Sequence, residues 1–282
     1  MNVKKRKIEV DGLPTHYLMA GEGPPLLLLH ALGESVLDWR WVLPDLARTH
    51  RVYAPDLPGF GRSAKPVADY SPAFFTHFIS YYLDALGIER AAVAGNSLGG
   101  LVALRLALSE PARVSALSLI DSAGLGQEVT YALRVPTLPG YGDLAAAWSK
   151  MSPGAVQRSW LKAGLLFARP DHTPIEWTTE QARLAQLPGF LEAALSALRT
   201  QISFAGQREV LLDRLPDLEI PTLIIWGISD RVFPVSQAQE AVACLQQGSL
   251  ELIPDCGHLP QIERPDLFVA ALSRFLHERA RR

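Results

Sequence analysis

Residues 91–100 read Ala-Ala-Val-Ala-Gly-Asn-Ser-Leu-Gly-Gly, and this stretch decides the fold. It begins as a short apolar strand and continues into a helix of small residues from Leu98 to Ser109. Ser97 therefore lies in a tight strand-to-helix turn, which strains its backbone and lifts its hydroxyl out of the sheet. The flanking glycines keep side chains away from this crowded turn, and the helix N-terminus adds partial positive charge. The pattern predicts that Ser97 is a nucleophile.

A serine hydroxyl needs a base to take its proton, and His258 is the histidine best placed for that role. It ends the loop 254–258, between a predicted strand and the last predicted helix. Asp230 follows the next-to-last strand and is the predicted acid that fixes the tautomer of the imidazole. Asp121, at the end of the preceding strand, remains an alternative to it. We predict a catalytic triad of Ser97, Asp230 and His258.

The oxyanion formed during acyl transfer needs two backbone N–H donors. We assign one to Leu98, directly after the nucleophile, and the other to Leu32, in the loop after the strand that ends at His30. His30 is predicted to be structural, with its ring hydrogen-bonded to nearby loop backbone.

Strand-like and helix-like segments alternate along both ends of the chain. The run 25–30 is apolar throughout, as expected of a strand buried on both faces, and Asp11-Gly12 predicts a hairpin turn. The alternation predicts an α/β fold with a mostly parallel, eight-stranded sheet flanked by helices. The predicted strands are residues 3–10, 13–20, 25–30, 51–55, 91–94, 114–120, 221–226 and 249–253, and the predicted helices are residues 72–86, 98–109, 236–245 and a segment from about residue 265.

The alternation stops between residues 124 and 214, where the sequence has helical periodicity but no convincing strand. We predict a helical insertion there, after the sixth strand, within a core domain made of residues 1–123 and 215–282. Most aromatic side chains of the insertion are expected to form its own core, and a few to line a cavity against the core domain. These aromatic residues are Tyr131, Tyr141, Trp148, Trp160, Phe167, Trp177, Phe190 and Phe204.

Together these segments resemble the α/β-hydrolase superfamily over nearly the whole chain. The supporting segments are residues 29–33 (LHALG), residues 56–63 (DLPGFGRS), the Ser97 turn, Trp226-Gly227 with Asp230, and Gly257-His258. The resemblance implies an α/β-hydrolase fold, a structural loop at residues 56–63, and a cap (lid) domain formed by the insertion over the nucleophile. Relatives usually have glycine where this chain has Ala31, and we expect the alanine to be tolerated if its φ is negative.

Composition restricts the partners and the location. The 282 residues carry a formal net charge of −2, so nucleic acid and anionic membranes are not expected partners. The basic residues 4–7 are predicted to protect an edge strand, and Cys244 and Cys256 to be small packing residues rather than a disulfide framework. No metal-ligand spacing or phosphate-binding loop is present, so no metal or organic cofactor is expected. Without a signal-peptide pattern, a soluble cytoplasmic protein is expected, and the sequence leaves its oligomeric state open.

Three functional hypotheses follow. The first is a serine hydrolase that cleaves a carboxylic ester with an apolar acyl or aryl group through an acyl-enzyme on Ser97. The second is a carbon–carbon bond hydrolase of meta-cleavage products. Asn96, directly before Ser97, is a point of resemblance to that family. However, members of that family usually have a glycine-rich loop in place of residues 31–35 and tryptophan in place of Leu259. The third is a non-catalytic ligand receptor. Dehalogenases and epoxide hydrolases of this fold are excluded, because they use aspartate at the position of Ser97.

Overall fold

The computed structural model describes residues 3–280, with side chains described up to Glu278. Within these residues the strands are β1 (Lys4–Val10), β2 (Leu13–Ala20), β3 (Pro25–Leu29), β4 (Arg51–Pro55), β5 (Ala91–Asn96), β6 (Val114–Ile120), β7 (Ile202–Ser203), β8 (Gly206–Gln207), β9 (Thr222–Gly227) and β10 (Gly248–Ile253). Eight of them form one sheet in the order β1-β2-β4-β3-β5-β6-β9-β10, which is antiparallel at β1–β2 and β2–β4 and parallel elsewhere. The predicted eight-stranded, mostly parallel sheet is confirmed.

The continuous apolar run in β3 is explained by burial on both faces of the sheet. Leu26 and Leu28 belong to one core cluster, and Leu27 and Leu29 belong to the other. Each of these leucines is at most 1% exposed, because β3 lies between β4 and β5 and helices cover both faces.

The first strand forms one edge of the sheet, as predicted. Residues 4–7 of β1 are exposed, and their positive charges discourage pairing with another chain. Asp11 and Gly12 have φ values of 47° and 74°, so the β1–β2 connection has the left-handed conformations that a tight hairpin requires.

The helices are α1 (Leu43–Leu46), α2 (Pro72–Ala85), α3 (Leu98–Ser109), α4 (Tyr131–Arg134), α5 (Tyr141–Lys150), α6 (Ser152–Leu166), α7 (Ile175–Ala185), α8 (Phe190–Gln201), α9 (Ser236–Cys244), α10 (Pro260–Glu263) and α11 (Pro265–Ala280). Phe75 of α2 and Val102 of α3 belong to one core cluster, whereas Leu43 of α1 and Phe268 of α11 belong to the other. These helices therefore cover opposite faces of the sheet.

The insertion, residues 124–214, contains α4 to α8 between β6 and β9. The prediction that it has no strand is wrong, because β7 and β8 pair as a small antiparallel sheet through Ile202↔Gln207 and Ser203↔Gly206. Each strand has only two residues, which is too short to give an alternating pattern in the sequence.

The prediction that most aromatic residues fill the core of the insertion is also wrong. Of the eight, only Phe167, Trp177 and Phe190 are buried, and the other five are 47–65% exposed. Small side chains such as Ala155 and Ala163 take up fully buried positions of the insertion instead.

Within the described residues, no helix combines the length and the apolar character needed to cross a lipid bilayer.

Candidate active site

The turn at Ser97 has the strained geometry that its sequence predicts. Ser97 has φ 54° and ψ −115°, an unfavourable conformation for a residue with a side chain. A Cβ added at Gly95 would lie 2.1 Å from the carbonyl oxygen of Gly99, and one added at Gly99 would lie 2.2 Å from that of Leu29. Both positions therefore require glycine, and the close crossing of β3, β5 and α3 holds the serine backbone in place.

The predicted acid and base are in direct contact. Nδ1 of His258 lies 2.8 Å from Oδ2 of Asp230, and both side chains are almost completely buried. The second oxygen, Oδ1 of Asp230, accepts the backbone N–H of Val232 at 2.7 Å. A proton on Nδ1 leaves Nε2 of His258 as an acceptor, which is the tautomer a general base needs. His258 and Ser97 line the same cavity.

Asp121, the alternative acid, lies beside this pair. Its Oδ1 accepts the backbone N–H of Gly227 at 2.9 Å. Burial, followed by the charge of Asp230, raises the pKa of Asp121 well above its usual value, which favours the neutral form of Asp121. It is the carboxyl group of Asp230, not that of Asp121, that contacts Nδ1 of His258.

The same three residues are close enough to be considered as metal ligands. One ligand atom from each of Asp121, Asp230 and His258 lies within 4.8 Å of the others. However, Nδ1 of His258 and Oδ2 of Asp230 already bind each other, and the raised pKa of Asp121 disfavours the carboxylate form that a metal ligand requires. We interpret the cluster as a hydrogen-bonded pair with a buried carboxyl group beside it.

Asn96 links the serine turn to the histidine loop. Its Nδ2 donates to the carbonyl oxygens of Ile120, at 3.0 Å, and His258, at 3.1 Å, and its Oδ1 accepts from Nε2 of Gln261 at 3.3 Å. The residue before the nucleophile therefore holds the backbone of the base. Sequence analysis noted Asn96 only as a family resemblance and missed this contact, which joins residues 162 positions apart.

The oxyanion donors stay a prediction, and their positions agree with it. Leu98 begins α3, so its N–H has no partner within the helix, and Leu32 lies in a loop that lines the cavity. Ala31 is not among the described residues with positive φ, so its methyl group adds no backbone strain to this loop.

The structural role predicted for His30 is confirmed. Nδ1 of His30 donates to the carbonyl oxygen of Ala31 at 2.8 Å, and Nε2 accepts the N–H of Leu57 at 3.0 Å. Burial lowers the pKa of His30 and keeps the ring neutral, as these two bonds require.

Asp56 confirms the structural role predicted for residues 56–63. Its carboxylate accepts the backbone N–H groups of Val36, at 2.8 Å, and Arg62, at 2.9 Å, and it contacts Nδ1 of His16 at 2.8 Å. This carboxylate ties the loop after β4 to the segment that follows the oxyanion loop.

Two charged residues that sequence analysis did not identify attach the insertion to the loops of the acid and the base. Arg231 donates from Nη1 to the carbonyl oxygen of Gly164, at 2.7 Å, near the C-terminus of α6. Glu263 accepts the N–H groups of Gly257, at 2.7 Å, and Ala168, at 3.1 Å. Each lies close in sequence to a predicted site residue, but no local pattern indicates which backbone groups it binds.

A buried polar network joins the oxyanion loop to α6 and α7. The carboxylate of Glu34 is fully buried and contacts Nζ of Lys162 at 2.5 Å. It also accepts from Nε2 of Gln181 at 2.5 Å and from Nε1 of Trp177 at 3.2 Å. Nζ of Lys162 further donates to the carbonyl oxygen of Gly33 at 3.1 Å. Sequence analysis missed this network, because its members are up to 147 positions apart.

A cavity of about 700 Å³ is lined by Ser97 and His258, by other loop and α3 residues of the core, and by the insertion. Its walls are mainly aliphatic, and exposed aromatic rings from the insertion lie at its edge. The aliphatic lining includes Leu133, Leu161, Leu165, Leu191, Leu195 and Leu198, and the aromatic lining includes Tyr131, Tyr141 and Trp148. The prediction that a few aromatic residues of the insertion line a cavity is confirmed.

The cysteines do not contribute to this chemistry. Cys256 is buried, and burial raises the pKa of its thiol, which disfavours the reactive thiolate. Both cysteines are free, and the expectation that Cys256 serves packing is confirmed by its place in the core.

The fold and this site define a hydrolase. A family model of the α/β-hydrolase fold matches residues 24–265, and the chain belongs to that family. It is 32% identical to the 2-hydroxymuconate semialdehyde hydrolase of Pseudomonas sp. (strain CF600), over 97% of this chain and 94% of that protein.

Two solved structures are similar over nearly the whole chain. The meta-cleavage product hydrolase from Pseudomonas fluorescens IP01 superposes with a TM-score of 0.83 at 28% identity, covering 97% of each chain. A membrane phospholipase A, described as a novel bacterial virulence factor, superposes with a TM-score of 0.82 at 28% identity, covering 99% of this chain and 87% of that one.

Proposed function

We propose that the protein is a serine hydrolase that cleaves a carboxylic ester with an apolar acyl or aryl group. The observation that carries this proposal is that the strained Ser97 and His258 line the same largely apolar cavity, and that His258 is hydrogen-bonded to Asp230 behind it. In this proposal Ser97 is the nucleophile, His258 the base and Asp230 the orienting acid.

The reaction proceeds by acyl transfer. His258 takes the proton of Ser97 as its oxygen attacks the ester carbonyl, and the N–H groups of Leu32 and Leu98 stabilise the oxyanion. The alcohol leaves with the proton from His258, and an acyl-enzyme remains on Ser97. Water, activated by His258, then releases the acid and regenerates the serine.

The insertion supports an apolar substrate. We infer that residues 124–214 form a cap over the core domain of residues 1–123 and 215–282, and that the leucines of α4, α6 and α8 bind the acyl or aryl group. Tyr131 and Tyr141 are exposed at the edge of the cavity and offer apolar contacts to an entering ester. The similarity to a phospholipase, whose name indicates ester hydrolysis, agrees with this proposal.

Hydrolysis of p-nitrophenyl esters with short and medium acyl chains tests the proposal. We expect wild-type protein and a Ser109→Ala control to release p-nitrophenol, and Ser97→Ala to be indistinguishable from buffer. Ser109 is matched as a helical serine whose hydroxyl bonds to carbonyl oxygens of its own helix, those of Arg105 and Leu106. Absence of turnover by wild-type protein across the series would contradict the proposal.

Carbon–carbon bond hydrolysis is the second candidate, favoured by the 2-hydroxymuconate semialdehyde hydrolase and the meta-cleavage product hydrolase to which the chain is similar. Against it, Leu259 follows His258 where the enzymes of that class usually have tryptophan. A yellow dienone meta-cleavage product separates the two. Loss of colour with wild-type protein but not with Ser97→Ala would favour this candidate, and persistent colour together with ester hydrolysis would favour the first.

The third hypothesis, a ligand receptor, is opposed by the hydrogen bond between His258 and Asp230 and by the position of His258 and Ser97 in the lining of one cavity. A serine-directed fluorophosphonate distinguishes it, because a receptor without a reactive serine would not be labelled.

A further inference from the structure

Arg158 is a half-buried cation with an unpaired N–H group. It lies on α6 and lines the cavity that contains Ser97. Its Nη1 is buried and has no hydrogen-bond partner among residues 3–280. Its closest described interaction is with the ring of Phe190, whose centroid lies 5.9 Å from Cζ. A guanidinium has five N–H donors and is always charged in proteins, so leaving it without an anion is costly.

The neighbouring charges do not compensate Arg158. Glu34 is the nearby carboxylate, and its oxygens already accept from Lys162, Trp177 and Gln181. Its negative charge is balanced by Lys162 at 2.5 Å. Burial, followed by the charge of Glu34, raises the pKa of Asp38 well above the usual value, which disfavours a second carboxylate in the cluster. The contacts of Glu34 are thus with other residues, and Nη1 of Arg158 has no acceptor among residues 3–280.

The position of Arg158 relates this charge to the reaction centre. Its Nη2 lies 3.5 Å from the point that a Cβ on Gly33 would occupy. Gly33 directly follows Leu32, the predicted oxyanion donor. An anionic group bound to Arg158 would thus lie within the same cavity, next to the loop that binds the reacting carbonyl.

We propose that Arg158 binds a carboxylate of the substrate, so that the preferred ester is the half-ester of a dicarboxylic acid or a similar monoanion with an apolar spacer. This inference rests on the proposed function, because it places the carboxylate relative to attack by Ser97. A carboxylate matches the planar fork of a guanidinium with two parallel hydrogen bonds. Its single negative charge also matches the single positive charge of a guanidinium, whereas a phosphate monoester would bring about −1.5 to −2.

Matched half-esters and diesters test the proposal. Monomethyl and dimethyl esters of dicarboxylic acids with four to eight carbons would be compared by methanol release with wild type, Arg158→Met, Arg158→Lys and Arg48→Met. Arg48 is an exposed control whose only described ion pair is to Asp45. We expect Arg158→Met to lower the ratio of half-ester to diester kcat/KM by about 10- to 100-fold, mainly through KM. Arg158→Lys is expected to recover part of that loss, and Arg48→Met to leave the ratio within about twofold of wild type.

Binding separates this proposal from the proposed function. Calorimetry of the half-esters with Ser97→Ala, alone and combined with Arg158→Met, needs no turnover. Binding that requires Arg158 supports the carboxylate site even if no ester is hydrolysed by wild type. Equal half-ester binding with and without Arg158, or an unchanged kcat/KM ratio, would overturn it. Tighter Arg158-dependent binding of the corresponding phosphonates would also overturn the assignment to a carboxylate.

Discussion

The catalytic end of the core and the inner face of the insertion are built differently. In the core, the side chains of Asp230, His258 and Asn96 each have hydrogen-bond partners, and glycines fix the turn at Ser97. On the insertion, Nη1 of Arg158 has no acceptor among the described residues, and most of the other lining residues are aliphatic. This difference leads us to propose that the core carries out the reaction and that the insertion selects the molecule brought to it.

The largest effect of a single substitution on activity is expected in the core. Asp230→Asn keeps the shape of the side chain but favours the wrong tautomer of His258, so kcat is expected to fall by about 10³–10⁴-fold with little change in KM. Steady-state kinetics with the best p-nitrophenyl ester would measure this. A loss of less than tenfold would show that Asp230 is not the acid that orients His258.

The next largest effect is expected where the two regions meet. Glu34→Gln leaves Lys162 buried without its counterion and is expected to lower the free energy of unfolding by about 3 kcal/mol. Glu192→Gln is the control, because it removes an exposed ion pair to Lys150 and is expected to cost less than about 1 kcal/mol. Urea denaturation followed by tryptophan fluorescence measures both. Equal costs would mean that the Glu34 network does not hold the insertion against the oxyanion loop.

A smaller effect is expected from the link between the serine turn and the histidine loop. Asn96→Ala removes the hydrogen bond to the carbonyl of His258 and is expected to reduce kcat by about tenfold while KM stays within about twofold. Gln186→Ala removes an exposed amide that bonds only to the carbonyl of Ala182 and serves as the control. If KM changed and kcat did not, Asn96 would contribute to substrate binding instead of positioning His258.

The smallest effect is expected at the second carboxyl group of the core. Burial raises the pKa of Asp121 well above its usual value, and Asp121→Asn keeps the shape of the side chain without a charge, so kcat is expected to stay within about threefold of wild type. The comparison with Asp230→Asn is the informative one. A similar large loss in both variants would mean that the two carboxyl groups share the role of the acid.

The sequence was sufficient where local chemistry dictates structure. The tight strand-to-helix crossing at Ser97 accepts only glycine at positions 95 and 99, and this pattern is visible in the sequence. The alternating segments predicted the number of strands in the sheet and its mostly parallel arrangement. Even the role of His30 followed from its place at the end of β3.

The rest depends on contacts between distant segments. The pairing of Glu34 with Lys162 and the isolation of Arg158 depend on how α6 is oriented over the oxyanion loop, which no local pattern specifies. The exposure of Trp148 and Trp160 was mispredicted for the same reason, because an aromatic residue in a helical pattern does not reveal which face is covered.

The central claim is that one serine becomes covalently modified with the help of one histidine. Intact-mass spectrometry and peptide mapping after treatment with a fluorophosphonate test it directly. We predict a single adduct on Ser97 in wild-type protein, none in Ser97→Ala, and an adduct that forms at least about 100-fold more slowly in His258→Ala. An unmodified protein, or an adduct on another residue that persists in Ser97→Ala, would contradict the account.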